Sequence, residues 1–308
     1  MTESTKPIRI PGGHFLQNPI TVKELRSRMR GGRAFLVLSL HVTFLSIFIV
    51  LVYAIFAANS GNPFGPDTRA AGKTVFGIVV LLQAFIVIFV APSFSAGAIA
   101  GEKERQTFDI LRTTLLTARK MVGGKLFSAL SYVLLLLVTA IPLMSVGFFL
   151  GGVSLVELVV SQVLLLAAAL AYASIGLYYS SRMKSTLSAT VSTFGTGLFF
   201  TAGLPLIAVI ALSFVGPFLF AFSSPPWYLQ AALIYAGVIL GGLSLPATLI
   251  ASEVILLQEG AVFAFTTLID GRTIWVFSPW LSFLAWHGLM ALLFIWLTVR
   301  RVRKVSDG

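Results

Sequence analysis

Hydrophobic and polar positions divide this chain into long uncharged runs separated by short charged or Gly/Pro-rich stretches. Apolar runs without a charge cover 34–56, 74–99, 126–150, 158–180 and 273–299, and the longest uncharged interval lies between Lys184 and Glu253. A run of 18 or more apolar residues reads as a membrane helix, because about 20 residues at 1.5 Å each cross a hydrocarbon core of about 30 Å. The pattern predicts spans at about 34–57, 74–99, 126–149, 155–180, from 186 onward, and 278–299. Strands of a membrane barrel alternate and would not give such unbroken runs. The expected class is an all-α polytopic membrane protein. Between the fifth and sixth spans, Ser223-Ser224-Pro225-Pro226 interrupts the apolar pattern, and 229–250 leads to Glu253, Glu259, Asp270 and Arg272. If 229–250 crossed fully, an acidic segment would lie beside the basic ones. Six spans with an outer membrane-embedded hairpin at about 216–272 are therefore expected, with eight spans as the alternative.

Composition agrees: 57% of the 308 residues are hydrophobic and 11% charged, against about a quarter charged in soluble domains. The net charge of +11 does not point to nucleic acid, because 19 of the 22 Lys and Arg residues fall in 1–33, 101–125, 182–184 and 300–304. Placing those four groups on one side satisfies the positive-inside rule, with both termini cytoplasmic and some attraction to anionic lipid headgroups. The first 33 residues lack an apolar h-region, so the first span is expected to act as the targeting signal. Absence of cysteine excludes disulfides and thiolate metal sites. His14, His41 and His287 have no partner at metal-ligand spacing, and no catalytic, cofactor-binding or metal constellation is expected.

Residues 1–17 read as a mobile segment. Asn18-Pro19 then starts a helix over 18–33, with Asn as cap and Pro at the first position. Val22, Leu25 and Met29 share its apolar face, while Arg26, Arg30 and their neighbours lie mostly on others, as in a helix lying flat at the interface. Gly72-Lys73-Thr74 is a fragment of a phosphate loop, but Asp67 stands where that loop requires glycine. Ser154 and Glu157 form a capping box for the fourth span, and Gly203 and Pro205 predict a kink in the fifth. The small residues of Ser93–Gly101 permit close helix approach.

The segment Gly101–Lys125 is the main charged island within the apolar sequence. It reads as two short helices, the first over 108–113 capped by Thr107, the second capped by Thr117 and running into the third span. Phe108, Leu111 and Arg112 give the first an apolar face with a basic edge, suited to docking a partner. The pattern Glu102-x-Glu104-Arg105-x-Thr107, Asp109-x-Leu111, Leu115-Leu116-Thr117 and Gly124-Lys125, with Pro142 beyond, resembles the second-loop signature of ABC-2-type (type V-like) exporter permeases. The opening Asn18-Pro19-x-x-x-Lys23-Glu24-Leu25-Arg26 is similar to the elbow helix of such subunits. Thr114 departs from the proline that many relatives carry before Leu-Ser or Leu-Thr.

This resemblance implies a transmembrane domain over 34–300 and a cytoplasmic tail at 301–308, in a prokaryotic plasma (inner) membrane. It implies a non-catalytic permease that binds no cofactor itself and pairs with a second permease chain, the same or related. ATP and Mg would be used by separate cytoplasmic ABC ATPase subunits docked on the 101–125 loop. Glu102 belongs to the signature, Glu104 and Arg105 would organise the base of spans 2 and 3, and Phe108, Leu111 and Arg112 would face the ATPase. Phe85, Phe89, Phe194, Phe199 and Phe200 are candidate path-lining residues, and Glu253 and Glu259 candidate outer-gate residues. Membrane lipids are expected partners and nucleic acid is not. Two other classes stay open: an ion-coupled secondary carrier, which needs buried acids or bases, and a lipid-modifying membrane enzyme, for which no dyad or metal cluster is visible.

Overall fold

The computed structural model describes residues 32–59, 67–107, 117–220 and 225–306. The interfacial helix expected at 18–33, with Val22, Leu25, Arg26, Met29 and Arg30, lies almost entirely outside the described residues. So do Phe108, Leu111 and Arg112.

The helices are α1 (Gly32–Asn59), α2 (Thr68–Glu104), α3 (Ala118–Phe149), α4 (Leu155–Arg182), α5 (Thr186–Leu198), α6 (Leu204–Phe220), α7 (Trp227–Gly241), α8 (Leu245–Glu259) and α9 (Pro279–Ser306). Side-chain caps fix several starts. Asp67 accepts from the Arg69 and Ala70 amides at 3.1 and 3.3 Å, Ser154 from the Glu157 amide at 3.2 Å, and Ser185 from the Ser188 amide at 3.3 Å. Thr117 occupies the cap position of α3, but its hydroxyl makes no cap bond. That helix start is held instead by burial of Met121, Val122 and Lys125 one turn later.

Among the described residues, six helices are long and apolar enough to cross a membrane: α1, α2, α3, α4, the continuous α5–α6 rod and α9. The α5–α6 rod passes through a π turn at Phe199–Gly203, just before Pro205. Pro205 has no amide hydrogen to donate, and the wider turn is the form that the expected kink takes. Helices α7 and α8 have 15 residues each, or about 22 Å, short of the roughly 30 Å needed to cross. Neither is counted among the helices long enough to span, and each packs on α9. Between α8 and α9 the chain also forms a two-stranded antiparallel unit that the helical pattern did not predict, β1 (Ala264–Ile269) and β2 (Arg272–Phe277), pairing Ala264 with Phe277 and Ile269 with Arg272. Asp270 and Gly271 turn it with φ of 48° and 76°, the left-handed pair of a tight hairpin.

The core is organised around α2, which packs most extensively on α4 and then on α3, with α5 and α1 at its flanks. Small residues decide how closely these helices meet. A Cβ on Gly176 of α4 would lie 2.0 Å from Ser95 Oγ and 3.1 Å from the Pro92 carbonyl oxygen, so α4 passes over the Pro92–Ala100 stretch almost backbone to backbone. At the opposite end of α2 the same is true of Gly72, Gly147 and Gly152. A Cβ on Gly152 would sit 2.3 Å from the Arg69 carbonyl oxygen and 2.5 Å from the Lys73 amide. Gly72 is therefore a packing residue. At the end bearing the charged island, Val302 of α9 joins Ile99, Met121, Val122 and Leu177 in one apolar cluster. This basic end gathers the C-termini of α2, α4 and α9 and the start of α3.

Candidate functional site

Three consecutive side chains at the last turn of α2 reach three different helices. Glu102 meets Lys125 of α3 at 2.7 Å, and the same ammonium donates to the Ala98 carbonyl at 2.8 Å. The Lys125 side chain is 1% exposed and that of Glu102 25%. Lys103 donates to the carbonyls of Ser181 and, at 3.2 Å, Met183. It thereby caps the C-terminal end of α4, where a helix dipole favours a cation. Glu104 accepts from the Thr186 amide at 2.8 Å and from its hydroxyl at 3.0–3.1 Å, placing a carboxylate on the N-terminal turn of α5. One turn earlier, Ser180 of α4 accepts from the Ile99 and Ala100 amides at 2.8 and 2.9 Å.

The charged island is therefore anchored where it begins. It is Glu102, rather than Glu104, that joins spans 2 and 3. The reason is helical: residue 102 faces α3, and two positions on, Glu104 faces α5. Arg105 is the C-cap of α2 and lies exposed. Thr107 donates its amide to the Glu102 carbonyl at 2.9 Å and Gln106 donates to that of Lys103 at 3.1 Å, a Schellman closure. The Thr107 hydroxyl also points back to Glu102, at 3.3 Å. Gln106 fills the left-handed position with φ 55°, where an L side chain is strained. Gln106→Gly is expected to raise stability by about 0.5–1 kcal/mol, seen as a higher melting temperature in detergent with the three ties intact.

Comparison with known proteins bears on what such an anchored loop belongs to. The family model described as ABC-2 family transporter protein matches residues 19–225, well over half the chain and including all of the 101–125 segment. This chain belongs to the ABC-2 family of transporter proteins. No curated protein matches it. Family membership and six membrane helices make it an integral membrane protein of the permease kind.

Other features of this ABC-2 protein lie along the α2–α5 side and at the end opposite the charged island. Phe85, Phe89 and Phe194 form one row across α2 and α5, with centroids 6.0 and 5.9 Å apart. Phe85 and Phe89 are 61% and 51% exposed, so the row faces outward from the single chain. Phe199 is also exposed, whereas Phe200 packs against the core, as consecutive helical positions face different sides. Within that turn Thr201 shares a 2.5 Å hydrogen bond with the buried Tyr172 of α4. His287 stacks on Phe283 with centroids 3.7 Å apart and its Nδ1 lies 3.1 Å from the Phe283 carbonyl, a packed core residue.

At the end opposite the charged island, Lys73 lies 3.7 Å from Glu253 and 3.9 Å from Glu157. The group joins the starts of α2 and α4 to α8, beside a cavity of about 20 Å³ lined by Ser161 and Ser252 among others, room for one water. Glu253 is thus held in an ion pair, and Glu259 is the last residue of α8. On the hairpin, Arg272 lies 4.8 Å over the Trp227 ring, and Tyr235 donates to the Trp275 carbonyl.

The sequence reading passed over Lys103, Lys125 as an ion-pair partner, and Ser180. A cation inside the last turn of a helix was the available signal for Lys103. Nothing local marked Ser180, whose partners lie about 80 residues away.

Proposed function

We propose that this chain is the permease subunit of an ATP-driven exporter, moved by a separate cytoplasmic ABC ATPase that docks on the 101–125 loop. The observation that carries the reading is the three-way anchorage of Glu102, Lys103 and Glu104. A load applied to a loop rooted there passes directly into spans 3, 4 and 5. The basic end is cytoplasmic in this reading, because 19 of 22 basic residues belong to segments on that side. Both termini are then inside a prokaryotic plasma membrane. Phe108, Leu111 and Arg112 contact the ATPase, which uses ATP and Mg. Two permease chains pair with the exposed Phe85–Phe89–Phe194 row towards a shared path. ATP-driven closure of the ATPases shifts the spans between inward- and outward-open arrangements.

Affinity purification of the tagged permease from its native host, followed by identification and assay of copurifying ATPase, tests this. Phe108→Ala and Arg112→Glu should each lower ATPase recovery and ATP-dependent transport while the permease still inserts. Unchanged recovery and transport in both variants would refute the docking assignment. Transport that persists without ATPase and is lost in Glu253→Gln would instead identify an ion-coupled carrier.

A further inference from the structure

Between α3 and α9, at the basic end, the protein carries a groove of about 1160 Å³. Its walls are built from Leu126 and Leu130 on one side and Leu292 and Ile295 on the other, and its mouth from Arg119, Arg300 and Arg303. Among the described lining residues there is no acid. Trp296 lies one turn below Arg300, whose guanidinium stands 5.3 Å over the indole ring.

Length and polarity both constrain the occupant. From Arg119 to Leu130, and from Leu292 to Arg303, the groove spans 11 helical steps on each wall, about 16 Å. That is about half of a 30 Å hydrocarbon core, the depth of a single leaflet. The cations sit at one end, at headgroup level, where basic side chains settle, and Trp296 lies about two turns below Arg303. Below them the lining offers only apolar surface. A wholly apolar ligand would not complement the positive charge of the mouth, and a soluble anion would leave the long apolar part unfilled. An amphiphile with an anionic head and acyl tails complements both.

We propose that the α3–α9 groove is a binding site for an anionic phospholipid of the cytoplasmic leaflet. Its phosphate is held by Arg119, Arg300 and Arg303, and its acyl chains lie along Leu126, Leu130, Leu292 and Ile295. The choice of leaflet rests on the proposed orientation, whereas binding itself does not. The site would place a lipid against the first turns of α3, directly after the charged island, so that occupancy supports the helix into which the loop feeds.

Native mass spectrometry of the full-length protein in detergent, titrated with phosphatidylglycerol or phosphatidylcholine, tests the site. Phosphatidylglycerol should bind at least about tenfold more tightly than phosphatidylcholine, as expected for several cations facing one anionic headgroup. The triple variant Arg119→Gln/Arg300→Gln/Arg303→Gln should lose that preference. Leu292→Trp, which narrows the apolar part, should weaken both lipids. Inorganic phosphate at millimolar concentration should not displace phosphatidylglycerol; displacement would identify an anion site without tail binding and overturn the proposal. Equal binding of the two lipids, or unchanged adducts in both variants, would assign the groove to another occupant, such as a second protein chain or the chain's own N-terminal segment, and overturn it as well. Retained monodispersity and melting temperature show that the variants fold. Because no ATPase is present, failure of the coupling assignment leaves this readout untouched.

Discussion

Glu102→Ala is expected to cost about 3–5 kcal/mol of stability, the range for stranding one member of a buried ion pair, and Lys125→Met distinctly less. The asymmetry follows from where each group is left. Without Glu102, the Lys125 ammonium keeps the Ala98 carbonyl but remains 1% exposed, with its carboxylate bond at 2.7 Å gone. Without Lys125, Glu102 can turn towards water, because a quarter of its side chain is already exposed. Methionine meanwhile fills most of the apolar volume that the lysine stem occupied. Equilibrium unfolding in mixed micelles measures both, and the double variant should lose less than the two single losses summed, as coupled neighbours do. If Lys125→Met proved the costlier change, or the two effects simply added, the pair would not be the tie between spans 2 and 3. Under the proposed function, Glu102→Ala should also lower transport more than ATPase binding, since the docking residues 108–112 are retained.

The other large effect is expected at the far end of α2, from a single methyl group. Gly152→Ala places a Cβ within 2.5 Å of two backbone atoms, the Arg69 carbonyl oxygen and the Lys73 amide. Backbone cannot swing aside as a side chain can, so the turn after α3 must lift from the first turn of α2. Overpacking of this kind costs about 1–3 kcal/mol and occasionally more. Displacing Lys73 would also loosen its ion pairs to Glu157 and Glu253. Gly77→Ala and Gly97→Ala are the controls: nothing lies within 4 Å of a Cβ at either position. There the helix-propensity gain of about 0.5–1 kcal/mol should dominate. Melting temperatures of the three variants decide the matter, and a neutral Gly152→Ala would show that the turn after α3 is not packed backbone to backbone.

Much of the architecture is legible from hydropathy alone, because each membrane helix must satisfy its own backbone and so announces itself by length. The break at Ser223–Pro226 and the acidic Glu253–Asp270 region mark where the spanning pattern stops, and the 15-residue α7 and α8 are not among the six helices long enough to cross. The β-hairpin was missed although its signal was present. Asp270-Gly271 stands between two six-residue segments, a turn signature that was outweighed by the apolar surroundings. At the candidate site, the signature residues Glu102 and Glu104 fall on the turn of α2 that ties to α3 and α5. Their division of labour was not legible, because it depends on which neighbour stands at each azimuth. Thr186, Ser181 and Ser180 are unremarkable in sequence and acquire meaning only when α4 and α5 close around α2. The aromatic residues show the same limit: Phe85, Phe89 and Phe194 form a row, while Phe200 packs on the core because of which neighbours stand on its side of the helix.

The last turn of α2 has a mechanical consequence. Successive residues on an α-helix project about 100° apart, so the contacts of Glu102, Lys103 and Glu104 point in three directions around the helix axis. A twist of α2 in either sense would stretch at least two of them, whereas a tilt carried out together with α3, α4 and α5 stretches none. Under the proposed function, a push on the loop would then reach α3, α4 and α5 together, as rocking of a four-helix block rather than rotation of α2 alone.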